Sequence, residues 1–301
     1  MSKAETKRRV VEIKRRIFGR LIPTFTSLAK KGPSGWMVIL GIAIVSALVI
    51  MTAIAPWITP YNPGKSNVGP LRAPPSPEFP MGTNHLGQDM LSRILCGGAI
   101  MLQVSALSVL VCFIIGVPIG LFSSYIGGMV DKAFSLVIDA IYAFPGLVIA
   151  IAVAAMLGTG VVNMALSIAV VYIPSYFRIV RSQVLSIKEL AYVEAARATG
   201  AKWYTILFRY IFPNVIPSIV VVATINFADA VLTAAGLTFI GLGVTIDIPD
   251  WGWDLTSGRA LIASGAWWVI AFPGLMIILL ALGFTLIGDG LSELLNPKLQ
   301  R

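Results

Sequence analysis

The most specific group of charged and small residues in this sequence consists of Glu194, Ala195, Ala196, Arg197 and Gly200. It lies in a polar stretch between two long apolar runs. Residues 188–199 are mostly good helix formers, and Gly200 then supplies a left-handed stop. Small side chains between opposite charges let a partner surface approach closely, as in a helix seated in a groove. We predict a docking helix here, with an ordinary amphipathic surface helix as the alternative.

The chain itself offers little acid–base or nucleotide chemistry. His85 is the only histidine, and we interpret it as a structural residue of a proline-rich loop. A metal site needs more ligands than one histidine and a few scattered acids provide. The sequence contains no Gly-x4-Gly-Lys-Ser/Thr loop for ATP phosphates. We therefore expect no catalytic, cofactor-binding or metal-binding residue in this chain.

Composition identifies the broad class of protein. Of the 301 residues, 57% are hydrophobic and 12% are charged, whereas a soluble domain is about 25% charged. So few charges could not cover a water-facing surface, and the apolar runs are long enough to span a bilayer. Helices satisfy their own backbone groups in lipid, and these runs lack the alternation of barrel strands. The sequence predicts an all-α membrane protein, with no nucleic-acid partner despite its net charge of +9.

Six membrane spans are predicted, at residues 36–57, 99–122, 132–156, 161–180, 215–240 and 266–288. A basic segment, 1–35, precedes them as either an amphipathic surface helix or a loosely ordered tail. The first span could be a cleaved signal, but the basic region is too long and the apolar run is long enough to span. The other segments are a loop (58–98), a core (99–290) with a polar loop (181–213) and an acidic loop (241–265), and a tail (291–301).

The basic residues predict the orientation of these spans. Nineteen of the 23 Lys and Arg residues fall in segments on the same side as the N-terminus, and four fall on the other side. Basic residues favour the cytoplasmic side. We therefore expect both termini and the loop 181–213 in the cytoplasm, with loops 58–98 and 241–265 outside. A second short helix is expected from Trp203, and Pro213 sits where the fifth span begins and tolerates its missing N–H.

Two acidic residues lie inside the predicted spans. A carboxylate at mid-membrane costs about 2.5–3.5 kcal/mol on insertion scales, so it should face a wet cavity or a partner. Asp229, with Asn226 one turn before it, is expected either to line a translocation path or to form an intersubunit hydrogen bond. Asp139 is a further candidate for the path. Cys96 and Cys112 would lie about 24 Å apart on one helix, too far for a disulfide.

The acidic loop is rich in tryptophan. It contains Asp247, Asp250, Trp251, Trp253 and Asp254. The loop could contact a soluble receptor or guard a pore. Alternatively, its tryptophans are interface anchors and its acids carry no function.

Three stretches carry a resemblance to a known family. Glu194-Ala-Ala-x3-Gly200, followed by Pro213, resembles the cytoplasmic EAA loop of ABC-importer membrane subunits. A second stretch contains Gly82, Thr83, Leu86, Gly87, Asp89, Ser92 and Arg93. It resembles the outer-loop signature of the C-type permease of oligopeptide, dipeptide and nickel importers. Gly236-Leu-Thr-Phe-Ile-Gly-Leu-Gly243 resembles part of the closing third of the same subunit.

The resemblance implies a type I ABC-importer transmembrane domain in the cell membrane. It implies a heterodimer with a B-type permease, two ATPase subunits that bind ATP and Mg, and an extracytoplasmic solute-binding protein. The EAA loop would insert into the ATPase and transmit its motion. Di- or oligopeptides are the solutes that the resemblance favours, with oligosaccharides or nickel as alternatives. An ion-coupled secondary transporter and a membrane-embedded enzyme are rival classes, but the sequence shows no internal repeat of the kind such transporters have.

The sequence departs from the family pattern at three kinds of position. The outer signature usually carries Asp and then Arg where this chain has Asn84 and Gln88. The stretch that follows the EAA motif usually ends in Leu-Pro, and here it ends in Phe212-Pro213. The fifth span often carries Glu where this chain has Asp229. These differences bear on the solute more than on coupling.

Overall fold

The fold is taken from a computed structural model that describes residues 28–29, 31–244 and 248–295. Helices make up most of these residues, and an isolated bridge pairs Thr83 with Asp89. Residues 1–27 of the basic segment, Asp247 and residues 296–301 of the tail lie outside the described residues, and so do the predictions that concern them.

The described part of the chain has nine helices that we number in order. They are α1 (Pro33–Ile58), α2 (Met90–Ile126), α3 (Gly128–Tyr142), α4 (Gly146–Leu157), α5 (Val161–Ile187), α6 (Ala191–Ala198), α7 (Trp203–Phe239), α8 (Trp251–Arg259) and α9 (Trp268–Leu295). Five of them, α1, α2, α5, α7 and α9, are long and apolar enough to cross a membrane. With α3 and α4 counted as one broken span, the number is six. The prediction of an all-α membrane protein is confirmed.

Two spans are longer than the apolar runs suggested. The second span, predicted from residue 99, belongs to α2, which begins at Met90 because the Asp89 carboxylate caps it. The fifth span, predicted from residue 215, belongs to α7, which begins at Trp203. The short helix predicted from Trp203 is therefore continuous with the span. A π-helical turn at Ile206–Ile211 lies inside α7.

The third span is not one straight helix as predicted. It consists of α3 and α4, which meet at an angle of 90°. The cause lies in Phe144-Pro145: proline disfavours helical geometry in the residue before it and supplies no N–H to continue the ladder. Pro145 then caps the start of α4.

The packing places α7 in the centre, against α2, α5 and α9. α2 lies along α5, and α1 lies along α9. Small residues permit the closest approaches, since a Cβ added at Gly41 would come within 2.6 Å of the Gly283 carbonyl oxygen. The core has a large cluster around α2, α5, α7 and Trp251, and a second cluster around the C-terminal halves of α2 and α5 and the N-terminal half of α7.

The broken span α3–α4 is much less covered than the rest. It buries Asp131, Ile138, Ala150 and Ala154. Leu136 is 73% exposed and Met156 is 86% exposed. This apolar surface is available to lipid or to another membrane subunit. Trp36 and Trp57 are exposed near the two ends of α1, where interface anchors are expected.

Candidate functional site

A buried ion pair joins the two loops at one end of the bundle. The Nε atom of Arg93, at the start of α2, lies 2.7 Å from Oδ1 of Asp254 on α8, and both side chains are fully buried. The Arg93 Nη1 atom also donates to the Pro63 carbonyl oxygen at 3.0 Å. We use the name polar cap for three segments together: residues 59–89, the first turns of α2, and helix α8. The pairing of Arg93 with Asp254 was not predicted, because the two residues lie in loops that are far apart in the sequence.

The predicted outer-loop signature lies inside the polar cap. The Asp89 carboxylate accepts from the backbone N–H of Ser92 at 2.8 Å and from its hydroxyl at 2.6 Å, which caps α2. The Thr83 hydroxyl accepts from the Ala73 N–H at 2.8 Å. Gly82 has φ +73 beneath the indole of Trp268, a conformation and contact that suit glycine. These residues therefore shape the loop by specific hydrogen bonds.

Two more signature positions complete the turn within this loop. Gly87 has φ +67, and a Cβ there would come within 2.5 Å of the Gly69 carbonyl oxygen. The backbone N–H of Leu86 donates to Asn84 Oδ1 at 2.9 Å. All seven signature residues thus serve the geometry of one loop.

The two departures from the family pattern in this loop turn out to be partners. The Asn84 side chain donates to the Gln88 side chain at 2.7 Å, and both are buried. Gln88 also donates to the Gly64 carbonyl oxygen at 3.1 Å. A neutral amide pair thus occupies the positions where the family usually carries Asp and Arg. It avoids the desolvation cost of two buried charges.

Tryptophan side chains close the polar cap. The Trp251 indole is fully buried and donates to the Ile94 carbonyl oxygen at 2.8 Å. The Trp268 indole donates to the Thr83 carbonyl oxygen at 3.0 Å. The interpretation of Trp251 as an interface anchor is wrong: Gly97 and Gly98 leave room for its ring on α2, so it packs inside the protein.

Asp250 and Asp254, the described acids of the loop 241–265, form structural contacts. The Asp250 carboxylate caps α8 by accepting from the N–H groups of Gly252 and Trp253. Burial raises the pKa of Asp250 to about 6, although these hydrogen bonds oppose the shift. Burial also raises the pKa of Asp254, and Arg93 opposes that change.

His85 is half-buried in the same loop. Burial lowers its pKa, and the charges of Arg72 and Arg93 add to the effect. Over the ranges that the structure describes, no three His, Cys, Asp or Glu residues are grouped where they could hold a metal ion.

At the opposite end of the bundle, residues 188–200 form a protruding segment that we call the handle. Its helix, α6, is shorter than predicted, since Leu190 is extended. Gly200 has φ +78, in agreement with the predicted left-handed stop. The Gly200 N–H bonds to the Arg197 carbonyl oxygen and the Ala201 N–H to that of Ala196, which is the Schellman arrangement.

The handle has one face packed and one face free. Val193 and Ala196 are buried against the core cluster that includes Leu207 and Ile211. Glu194, Ala195 and Arg197 are exposed on the other face. Among the described residues Glu194 and Arg197 form no ion pair, so both charges are available to a partner.

Polar contacts attach the handle to α7. The Asn214 side chain donates to the Tyr210 carbonyl oxygen at 2.6 Å and to the Tyr192 hydroxyl at 3.3 Å. Pro213 follows directly after the π-helical turn, which ends with a Phe212 N–H bond to the Leu207 carbonyl oxygen. Because Pro213 has no N–H, the α-helical pattern cannot be complete here. Pro213 was predicted at the start of the span, whereas the hydrogen bonds that join Tyr192, Tyr210 and Asn214 were not predicted.

Charged side chains also meet on the spans. Asp139 on α3 forms an ion pair of 2.7 Å with Arg178 on α5, and both side chains are largely exposed. The Arg178 guanidinium lies 3.8 Å from the centre of the Tyr142 ring. Arg181, one turn further, binds both oxygens of Asp131 at 2.8 and 2.7 Å. The fourth span was predicted to end at residue 180, whereas α5 continues to Ile187 and so includes Arg181 as well as Arg178.

Asp229 and Asn226 lie on α7 but are not bonded to each other in the structure. Asp229 is half-buried and has no ion pair among the described residues. Asn226 is buried, and its amide nitrogen has no hydrogen-bond partner within the same ranges. Nearby, the Tyr172 and Thr233 hydroxyls are 2.9 Å apart. The middle of α7 is therefore polar on one side.

These features define a polytopic α-helical membrane subunit with a buried ion pair in the polar cap at one end and a short helix with an exposed face at the other. The chain belongs to the family of binding-protein-dependent transport system inner membrane components, whose model matches residues 116–301. It is therefore the permease subunit of an ABC importer and a multi-pass protein of the plasma membrane.

Three relatives cover most of the chain. It is 38% identical over 264 residues to the dipeptide transport system permease protein DppC of Alkalihalophilus pseudofirmus, covering 88% of this chain and 86% of that protein. It is 39% identical over 265 residues to the glutathione transport system permease protein GsiD of Pectobacterium atrosepticum, covering 86% and 88%. It is 36% identical over 266 residues to the di/tripeptide transport system permease protein DppC of Pseudomonas aeruginosa, covering 86% and 88%.

Family membership also bears on chemistry and partners. Permease subunits of this kind are not themselves catalytic, and ATP and Mg are used by their partner ATPases. A binding-protein-dependent system implies ATPase and solute-binding partners. The ion-coupled secondary transporter is not favoured by these relatives.

The Arg93–Asp254 pair yields a stability prediction. Arg93→Met leaves Asp254 as a buried, unpaired charge and should lower the free energy of unfolding by about 3–5 kcal/mol. The change should appear as a lower apparent unfolding temperature in detergent. The double variant Arg93→Met/Asp254→Leu removes both charges and should recover most of the loss. Lys65→Met, at an exposed position of the same loop, is the control. A single variant as stable as this control would contradict the assignment.

Proposed function

We propose that this chain is the C-type permease of an importer for di- or oligopeptides, working as a heterodimer with a B-type permease and two ATPase subunits. The observation that carries the proposal is the handle, an exposed docking helix with two unpaired charges that is bonded to the membrane-spanning α7. The names of the three relatives refer to dipeptides, di/tripeptides and glutathione, and they support a peptide solute.

The proposed orientation places the handle in the cytoplasm and the polar cap outside. The distribution of the basic residues supports this, with 19 on the handle side and four on the cap side. The cap would then face the solute-binding protein. The handle would face the ATPase pair, whose closure on ATP moves the grooves that hold it.

The coupling residues have different parts in this mechanism. Glu194 and Ala195 would contact the ATPase groove, because they lie on the free face of α6, and Arg197 would lie at the edge of that groove, where it also faces the end of α2. Ala196 would keep the helix close to the core, and Gly200 would fix the direction in which the chain leaves it. Pro213 and the π-helical turn would set the angle between the handle and the span. Displacement of the handle would thus turn α7 and rock the spans between inward-open and outward-open states.

The proposed translocation path runs along α3, α4 and the polar side of α7. The exposed Asp139–Arg178 pair supports this, since lipid would not tolerate two exposed charges on spans and a wet cavity would. Asp229, which is half-buried on α7, would line the opposite side of this path, and the buried Asn226 amide nitrogen, which has no hydrogen-bond partner among the described residues, would lie beside it. The uncovered apolar faces of α3 and α4 would be covered by the B-type permease and by lipid.

The function is tested by reconstitution of the assembled importer with its solute-binding protein in vesicles. We expect ATP-dependent accumulation of a labelled dipeptide. It should stop when the Walker lysine of the ATPase is replaced by alanine. Uptake that continues in that variant would contradict an ATP-driven importer. ATP-dependent uptake of an oligosaccharide or nickel without peptide uptake would contradict the peptide assignment alone.

Gly200 tests the coupling mechanism. Gly200→Val should uncouple ATP hydrolysis from uptake because a β-branched residue does not adopt φ +78 easily. A Cβ at this position would meet nothing within 4 Å, so the effect would come from the backbone alone. Gly200→Asn, which tolerates this conformation, is the matched control. Normal solute-stimulated ATPase activity and uptake in Gly200→Val would refute the proposed role.

The path residues give a separate prediction. Asp229→Asn and Arg178→Gln should each lower peptide uptake by about tenfold, equivalent to about 1.4 kcal/mol in the transport barrier. The amount of assembled complex should not change, because these side chains are not in the buried core. Lys132→Gln, at an exposed position of α3, serves as the control. Unaltered uptake in both path variants would place the route elsewhere.

A further inference from the structure

A cavity lies at the foot of the handle. Its volume is about 410 Å³, and three elements line it. Phe122, Tyr125 and Ile126 come from the end of α2, Arg197 comes from the handle, and Trp203 begins α7. The cavity therefore touches the docking helix, the span that follows it and a neighbouring span at once.

The polar groups around the cavity are suited to an anion. Arg197 offers a guanidinium, Trp203 an indole N–H and Tyr125 a hydroxyl, all of which can donate hydrogen bonds. Within the described ranges these three side chains form no hydrogen bond and no ion pair. No carboxylate lines the cavity. A bound group that carries negative charge would satisfy all three donors.

The walls of the cavity are apolar, which favours an amphiphile over a soluble ion. Phe122 and Ile126 belong to a membrane-spanning helix, and Ile126 is 65% exposed. Phe208 is 50% exposed and packs its ring edge-on against Phe122 with centroids 6.0 Å apart. Exposed aromatic residues beside basic ones are typical of the membrane–water interface. These features favour a position at the membrane surface, where phospholipid headgroups are found.

We propose that this cavity binds the headgroup of an anionic phospholipid, with the phosphate at Arg197 and the acyl chains along Phe122 and Ile126. Basic pockets between spans at the membrane surface are known to take such headgroups. The basic residues of the N-terminal segment have the same sign as Arg197 and would not complement it. The proposal does not depend on the solute or on transport, and the proposed orientation decides only that the lipid belongs to the inner leaflet.

The position of the cavity gives the lipid a regulatory role. A headgroup bound there would join Arg197 of the handle to α2 and to the start of α7. Binding would stabilise the arrangement of these elements that forms the site. The coupling of ATP hydrolysis to solute uptake should therefore be stronger in bilayers that contain anionic lipid.

The proposal is tested on the whole importer complex in nanodiscs of phosphatidylcholine with phosphatidylglycerol. The lipids that stay bound are counted by native mass spectrometry. Arg197→Gln should reduce the retained phosphatidylglycerol by at least about tenfold, since it removes a charged hydrogen-bond donor. Arg197→Lys should recover part of it. Ile126→Trp should also reduce retention by filling the cavity, and its exposed position means that no packed neighbour is displaced.

Lys202→Gln is the matched control for general surface charge. It removes one positive charge from the same stretch but does not line the cavity, so it should lower retention by no more than about fivefold. Equal losses in Arg197→Gln and Lys202→Gln would overturn the proposal. Displacement of the lipid by millimolar inorganic phosphate would show a soluble-anion site instead. Retention that is absent in the complex but present in the isolated permeases would assign the cavity to an ATPase side chain.

Discussion

The ion pair between Arg93 and Asp254 is the interaction on which one end of this molecule depends. It joins residues that are 161 positions apart and fully buried. Two charges out of water are tolerated only with close contact and further hydrogen bonds, and the Pro63 carbonyl supplies one. The proline-rich loop, the start of α2 and α8 must therefore assemble together, because no single segment can satisfy the pair.

The other end of the molecule is built on a different principle. The handle is held by a small apolar contact at Val193 and Ala196 and by polar contacts around Asn214. Its outward charges have no partner within the described chain. The cap thus has buried charges that are paired within the chain, whereas the handle, which α7 follows, has exposed charges that are not. The broken span α3–α4 lies between them with little support of its own.

Much of the fold could be predicted from composition and from the lengths of the apolar runs. The left-handed turn at Gly200 was also predictable, because local backbone chemistry decides it. The bend at Phe144-Pro145 could have been predicted from the proline, but the apolar run was long enough to be interpreted as one straight span. The pairing of Asp139 with Arg178 depends on which helices are neighbours, and a single sequence does not contain that information. For the same reason, Asn84 and Gln88 were taken from the sequence as two separate differences from the family pattern. In the structure their side chains are hydrogen-bonded, so an amide pair replaces a charged pair.

The π-helical turn at Ile206–Ile211 has a consequence for the angular phase of α7. A π turn contains about one residue more than an α turn, and each residue of an α-helix advances the side chain by about 100°. The turn is therefore equivalent to a one-residue insertion between the handle and the mid-membrane part of the helix. Deleting one residue there would return the segment to an α-helix. The handle would then keep nearly its present direction, because the wide turn takes up the extra residue that would otherwise rotate it by about 100°.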